Sequence, residues 1–505
     1  MTNIRNPQVT RRAERRRDEA PLASRNPRPP DWQAAQPHYK SIFIVFFVLG
    51  SLLRIWLCWS NPVGNFFDNH FEPILLIMKT GAIPGKNDCW QCYHPPVFYW
   101  ISAMVGHVAA HMGVVKLSQL LKVFQFVVCF YGILTLGVLY LILNKLALSD
   151  FSRLLAFGTA CFLPRHIYMS AINSNDTITY LFVALSVYLL LIAIEKTFPF
   201  FLLLTVGIVV SVTLFTKYTS FIVLPVVLTV FASLAYTRLF PSRKQALLFF
   251  VLIIFVPMII LSASLIWNKK YYDSPLPWNV SRSDPSLIQP RDADHFDFVS
   301  FKPWETIDPP IIVPGKMQSF WTLIYSGMWF DNEPKFLYFL VSNQSWWDRY
   351  YGWLRGEEKF PEDSPSISKL TRLLGAGLTI LGLFPLLLMV RGLGNFFSRS
   401  WRSHMSAQEM VKMVIFPTLL FSNVLGIVAL ALRLPVYTAA KASYFLNSLP
   451  AFVVFLSLGL MACETNKQLK WTAVIALSFL FCLASVHILH IVLSISFLKP
   501  ASLPG

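Results

Sequence analysis

Apolar runs long enough to cross a lipid bilayer recur along this chain, and no other feature constrains its fold as strongly. A helix rises about 1.5 Å per residue, so roughly 20 apolar residues span a hydrocarbon core. Within lipid a helix also satisfies all of its own backbone polar groups. Such runs fall near 41–59, 118–143, 154–167, 177–194, 199–215, 219–237, 246–267, 367–390, 412–432, 443–462 and 471–492. The expectation is an all-α polytopic membrane protein with a bundle of about 11 transmembrane helices, the short run 154–167 being tilted or partly re-entrant. With 55% hydrophobic and 14% charged residues in a chain of 505, an ordinary soluble domain is excluded.

The formal net charge of +17 would suggest nucleic acid in a soluble protein, but its distribution points to a membrane. Residues 1–40 carry nine Lys and Arg against four acids, and the alternate loops carry Lys145, Arg153, Lys196, Arg238, Arg243, Lys244, Arg391, Arg399, Arg402, Lys412, Lys467 and Lys470. That bias places the N-terminus and those loops in the cytoplasm. The segment from Lys269 to Asp363 reverses it, with 14 acids against 10 bases, and is expected on the outer side together with the loop that follows the first span. The division expected is a basic, disordered cytoplasmic tail (1–40), an N-terminal transmembrane module (41–267) whose first outer loop is 60–117, a large outer loop (268–366), and a C-terminal transmembrane module (367–505). The Pro-rich tail suits anionic lipid rather than nucleic acid, and the first apolar run lacks the small-residue cleavage site of a signal peptide.

Two outer segments concentrate the polar residues. The first outer loop holds Asp68, His70, Glu72, Asp88, Cys89, Cys92 and His94, and ionisable groups held close to a bilayer mark a functional site. Within it, Pro73–Thr80 reads as a short helix stopped by Gly81, and Pro95–Gly113 as a second with proline in its first turn. Both are expected to lie in the outer interface as juxtamembrane helices. The segment from Asn268 to Ser366 is dense in Trp and Tyr, as in SGMWFDNEP and NQSWWDRYYGW; interfacial anchoring is the preferred reading, with stacking on sugar rings or covering of a site as the alternative. Asn279 and Asn343 begin N-x-S triplets. No internal repeat is evident, which weakens a transporter built from inverted repeats.

Three clusters distant in sequence emerge on the same side: the first outer loop, the stretch from Pro164 to Asp176, and the stretch from Arg433 to Tyr444, with Lys217-Tyr218 between two spans. They set the acids Asp68, Glu72 and Asp176 opposite the cations Arg165, Lys217, Arg433 and Lys441. Cations at a membrane surface hold a lipid phosphate and stabilise charge growing on it as a leaving group, while a carboxylate opposite takes a proton from an attacking hydroxyl. The pair Cys89-x-x-Cys92 with His94 admits two readings. Zinc would need a fourth ligand from His70, Asp88, His107 or His111. A disulfide is natural for two cysteines on an oxidising face, and is preferred.

Asp68, Gly81 and the run Tyr93-His94-Pro95-Pro96-Val97-Phe98-Tyr99-Trp100 together resemble the front end of GT-C class glycosyltransferases that use polyprenyl-phosphate sugars, in particular the protein O-mannosyltransferase and lipid A aminoarabinose transferase superfamily. Asn175-Asp176 and the stretch from Lys441 through Tyr444 to Pro450 resemble later landmarks of that family. The resemblance implies a GT-C-like bundle and an inverting transfer of a sugar from a polyprenyl- or dolichyl-phosphate donor to a hydroxyl on protein, glycolipid or polysaccharide. It implies Asp68 as the catalytic base, Lys441 with Lys217 or Arg165 as the donor-phosphate site beside Tyr444, and His94, Asn69 and Asn175 as the substrate pocket. Where the family has Glu after Asp this chain has Asn69, so the second carboxylate role is lost, moves to Glu72, or belongs to Asp176. No cofactor is required by this reading, and a divalent metal is left open. A transporter or flippase of a lipid-linked or polar substrate is the alternative function. A bacterial inner membrane is the expected location, with the endoplasmic reticulum membrane as the alternative.

Overall fold

The computed structural model describes residues 37–497 apart from 64, 66–69, 86, 278–294, 309, 313–317, 333–334, 337–339, 341–345, 347, 351, 353–360, 362–366, 399–404 and 436. The basic tail and the triplets at Asn279 and Asn343 therefore lie outside the described residues. Among the described residues the chain is helical without a strand, and a single isolated bridge pairs Asp297 with Ser319.

Among the described residues, nine helices are long and apolar enough to cross a membrane. They are α1 (Pro37–Ser60), α4 (Leu117–Leu143), α7 (Asp176–Glu195), α9 (Tyr218–Tyr236), α10 (Arg243–Tyr272), α12 (Lys369–Phe397), α13 (Ala407–Arg433), α14 (Ala442–Glu464) and α15 (Lys467–Phe497). The first outer loop contributes α2 (Phe71–Thr80) and α3 (Val97–His111), and the large outer loop contributes α11 (Phe320–Trp329). As the sequence leads one to expect, α2 stops at Gly81, which takes a left-handed φ of 68° and donates its N–H to the Ile77 carbonyl.

Of the eleven expected spans, the remaining two are shorter helices. The run at 199–215 forms only α8 (Phe200–Leu214). The run at 154–167 divides into α5 (Asp150–Cys161) and α6 (Pro164–Met169) because Pro164 has no N–H to offer the Ala160 carbonyl and holds Leu163 extended. Arg54 of α1, fully buried, fills the break. Its guanidinium donates to the carbonyls of Ala160 (3.3 Å) and Cys161 (2.8 Å) and lies 2.6 Å from His166 Nδ1. A cation is thus spent on repairing a backbone, as lipid-buried helix breaks require.

Helices meet through small residues where backbones approach. A Cβ on Gly392 of α12 would overlap the Phe455 carbonyl of α14, and one on Gly459 would overlap the Leu388 carbonyl, so this crossing admits only glycine. One end of the bundle is held by charge: Glu195, closing α7, pairs with Lys145 (2.8 Å) and Lys412 (2.7 Å). Ser149 hydrogen-bonds Glu464 at that same end. All the clusters singled out in the sequence gather at the other end. There the segment before α11 turns on Asp297, whose carboxylate accepts the Ser300 hydroxyl and the N–H groups of Val299 and Ser300 and is held down to about 2 by those bonds.

Candidate functional site

The polar end is assembled by side chains that tie loops to helix ends. Lys122 of α4 donates to the carbonyls of Cys58 (3.1 Å) and Asn61 (2.6 Å), closing the C-terminus of α1 where a cation is favoured. Asn61 donates to the Ala171 carbonyl (2.7 Å), and Asn65 donates to Asn61 Oδ1 (2.9 Å) and to the Lys335 carbonyl (3.2 Å). The start of the first outer loop is thereby fixed between the segment leading into α7 and the large outer loop. Asp68 and Asn69, which follow directly, lie outside the described residues.

The rest of that loop docks as a unit. His70, buried, lies with Nδ1 2.7 Å from the Tyr99 hydroxyl and its ring centre 5.4 Å from that of His94, tilted to it. Cys89 and Cys92 form a disulfide, so neither sulfur offers a thiolate to a metal, and the described residues contain no cluster of three metal-ligating side chains. Tyr272 of α10 donates to the Cys92 carbonyl (2.9 Å), and Tyr218 of α9 donates to the Tyr93 carbonyl (3.0 Å). The Val97 N–H reaches the Phe215 carbonyl at 3.3 Å. His94 is half-buried, with its ring 6.5 Å from that of Tyr218, so the His-Pro-Pro element sits over the junction that carries Lys217.

At that junction an ion pair forms the centre of the site. Asp176, the first residue of α7, is fully buried, and Lys217 Nζ lies 2.7 Å from its Oδ1. Ser174 donates to the other carboxylate oxygen at 3.2 Å. The ammonium also stands 5.1 Å from the Tyr444 ring centre, a cation–π contact. Tyr444 belongs to a short helical turn that starts after Lys441, itself buried, and Tyr180 of α7 ties this turn down by donating to the Ser443 carbonyl (2.8 Å). Asp176, Asn175, Lys217, Lys441 and Tyr444 are therefore brought together from three separate stretches of the chain.

Other expected residues are placed differently. Arg165 is fully buried and donates to the Gly327 carbonyl and to Asn332 Oδ1 (3.2 Å), so its guanidinium fastens α11 to α6. Glu72 and Arg433 are exposed, and Glu72 has no ion pair with any described residue. Sequence reasoning overlooked Asp331, Asn332 and Lys335 of the large outer loop, each buried; Asp331 accepts the Phe336 N–H (2.6 Å), and Lys335 Nζ lies 3.5 Å from Met169 Sδ. The available signal was the run Asp331-Asn332-Glu333-Pro334-Lys335, whose alternating polar groups do not suit an interfacial anchor. This part of the loop is fastened to α6 through Arg165 and Met169 and meets the start of the first outer loop at Asn65.

Chemically, the arrangement is cationic and hydrogen-bonding around one engaged carboxylate. An ammonium carries three donors and no acceptor, which suits it to an anion; Lys217 gives one of them to Asp176 Oδ1.

Comparison with known proteins bears on this geometry. Residues 93–261 match the sequence family described as dolichyl-phosphate-mannose-protein mannosyltransferase. No curated protein sequence matches the chain significantly. The apo oligosaccharyltransferase of Archaeoglobus fulgidus is similar in structure, with a TM-score of 0.51 at 13% identity over 89% of this chain and 56% of that one. The same organism's oligosaccharyltransferase AglB, in complex with an inhibitory peptide and a dolichol-phosphate, gives 0.50 at 13% over 90% and 56%. ArnT from Cupriavidus metallidurans bound to undecaprenyl phosphate gives 0.34 at 13% over 84% and 78%. The chain thus spans little more than half the length of the archaeal enzymes. The likeness to them shows a GT-C-like fold.

Proposed function

We propose that the chain is an integral-membrane glycosyltransferase that moves a sugar from a polyprenyl- or dolichyl-phosphate donor to an acceptor hydroxyl, with inversion. The observation that carries this reading is the buried Asp176–Lys217 pair, with the half-buried Tyr444 ring on the ammonium and Lys441 beside it, at the end of a GT-C-like bundle where the first outer loop begins. The match of residues 93–261 to the mannosyltransferase family supports it, as does the dolichol-phosphate held by the archaeal structure.

In the proposed reaction Asp68 takes the proton of the acceptor hydroxyl as its oxygen attacks the anomeric carbon. The glycosidic carbon–oxygen bond forms on one face as the carbon–oxygen bond to phosphate breaks on the other, and the electron pair leaves with the lipid phosphate. Lys217 and Lys441 meet the charge that grows there, a stabilisation that is strongest in a site shielded from water. Asp176, already paired, orients Lys217 and is not the base. Arg165 acts through the outer loop it fastens. The acceptor hydroxyl is carried by protein, glycolipid or polysaccharide, and the transferred group is a hexose or pentose. The charge bias of the loops supports a cytoplasmic N-terminus and a site on the periplasmic or luminal face of a bacterial inner membrane.

The test is Asp68→Asn, purified in membranes and given the lipid-phosphate sugar donor. Release of free lipid phosphate is expected to fall by at least a hundredfold, on the scale of a lost general base, and an undiminished rate would sink the assignment. A transporter would instead place charged residues and broken helices at mid-bilayer depth. Here the cluster sits at one end, and the cation at the break between α5 and α6, Arg54, is consumed in backbone repair.

A further inference from the structure

A group of buried polar atoms next to the ion pair takes no part in the chemistry above. Asn173 and Asn175 are at least nine-tenths buried, and neither the amide nitrogen nor the amide oxygen of either side chain has a hydrogen-bond partner among the described residues. The same holds for the hydroxyl of Ser443, which is fully buried. Leaving such a group dry costs about 1–3 kcal/mol each, and buried polar atoms in folded proteins otherwise find partners. Five of the orphaned atoms among the described residues lie on three residues that stand within three positions of the ion-pair cluster in the chain. Asn175 directly precedes Asp176, and Ser443 directly precedes Tyr444, the two groups that hold Lys217.

The chemistry of the five atoms limits what completes them. Two are carbonyl oxygens that need donors, two are amides that need acceptors, and the hydroxyl does either. A phosphate has only acceptors to offer and would leave both carbonyls unpaired. Sugar hydroxyls both donate and accept. An amino sugar would bring a further positive charge beside Lys217 and Lys441, and the carboxylate at this position, Asp176, is already paired. We propose that Asn173, Asn175 and Ser443 form a neutral shelf that reads the hydroxyls of an uncharged pentose or hexose on the donor, and that the site selects against a cationic amino sugar. This rests on the glycosyltransferase reading and adds to it the class of sugar.

The experiment uses the full chain in lipid nanodiscs and measures binding of three probes: undecaprenyl phosphate, its neutral hexosyl ester, and its 4-amino-pentosyl ester. Wild type is expected to hold the hexosyl lipid about 10-fold or more tighter than the bare lipid, one such factor being worth about 1.4 kcal/mol, and the aminopentosyl lipid no tighter than the bare one. Asn173→Leu and Ser443→Ala are expected to remove most of the hexosyl preference while leaving bare-lipid affinity unchanged, which also reports that the variants fold. The shelf is overturned if either variant weakens both lipids equally, if neither changes the preference, or if wild type prefers the aminopentosyl lipid. Failure to bind any of the three lipids overturns the glycosyltransferase reading instead, so the two failures are distinguishable.

Discussion

Burying a carboxylate and an ammonium costs several kcal/mol per ion unless each satisfies the other with good geometry. Asp176 and Lys217 meet that condition at 2.7 Å, with Ser174 on the second carboxylate oxygen and the Tyr444 ring near the ammonium. Removing one partner strands the other charge. Asp176→Asn and Lys217→Met are each expected to lower stability by about 3 kcal/mol, read as the midpoint of thermal unfolding in detergent. The double variant should recover a substantial part of that loss, because no bare charge remains. Simple additivity would show the two residues to be uncoupled. In the recovered double variant donor turnover should remain abolished, since the role assigned to Lys217 is binding the leaving phosphate; restored turnover would reduce the pair to a structural brace. The sequence set Asp176 among the acids facing a group of cations that includes Lys217, but nothing in it singled out this pair. Asp176 and Lys217 stand 41 residues apart, and each alone reads as a charge at a helix end. The partners of Arg165, Gly327 and Asn332, were hidden for the same reason: they lie more than 160 residues away.

At the scale of elements, what the sequence showed and what it hid follow from the range of the interactions. Helix α2 and its stop at Gly81 were readable because a left-handed C-cap is a local demand of the backbone. The break between α5 and α6 was only half readable. Pro164 announces it, but its repair by Arg54 depends on how α1 packs. The crossing of α12 and α14 left no trace in apolarity, since Gly392 and Gly459 matter only where two backbones touch. Gly459→Leu is expected to force these helices apart, producing misfolded protein that aggregates on detergent extraction, while Gly394→Leu, with open space at its Cβ, should extract normally. Equal behaviour of the two variants in size-exclusion chromatography would show the crossing to be tolerant. The disulfide poses a milder case. A loop closed over so few residues stabilises by about 2 kcal/mol at most, and the segment keeps its bonds to Tyr218, Tyr272 and Phe215 without it. Cys89→Ser with Cys92→Ser should therefore retain turnover within about threefold while unfolding at lower temperature; a complete loss would mean that the bridge sets the position of His94.

For the whole molecule, the separation of two unlike ends is what places the chemistry. One end holds the first outer loop, the start of α7, the Lys217 junction and the turn after α13. The other holds Lys145, Glu195, Lys412 and Glu464, linked by ion pairs and a hydrogen bond. Hydropathy and charge counting found both ends because they are sums over many residues and tolerate local error, even though two of the expected eleven spans turn out shorter than expected. The same counting makes a directional prediction, since Lys and Arg gather on loops retained in the cytoplasm. Lys79, exposed at the end of α2, and Gln468, exposed at the start of α15, report on opposite ends. In intact cells Lys79→Cys should react with a membrane-impermeant maleimide, and Gln468→Cys should react only after the membrane is opened. Of the native thiols, Cys58, Cys129, Cys161 and Cys463 are buried, and the exposed Cys482, midway along α15, is replaced by serine in both variants. The reverse pattern would put the site in the cytoplasm, where the donor phosphate would have to be met from the other leaflet and the assignment of the acceptor would change with it.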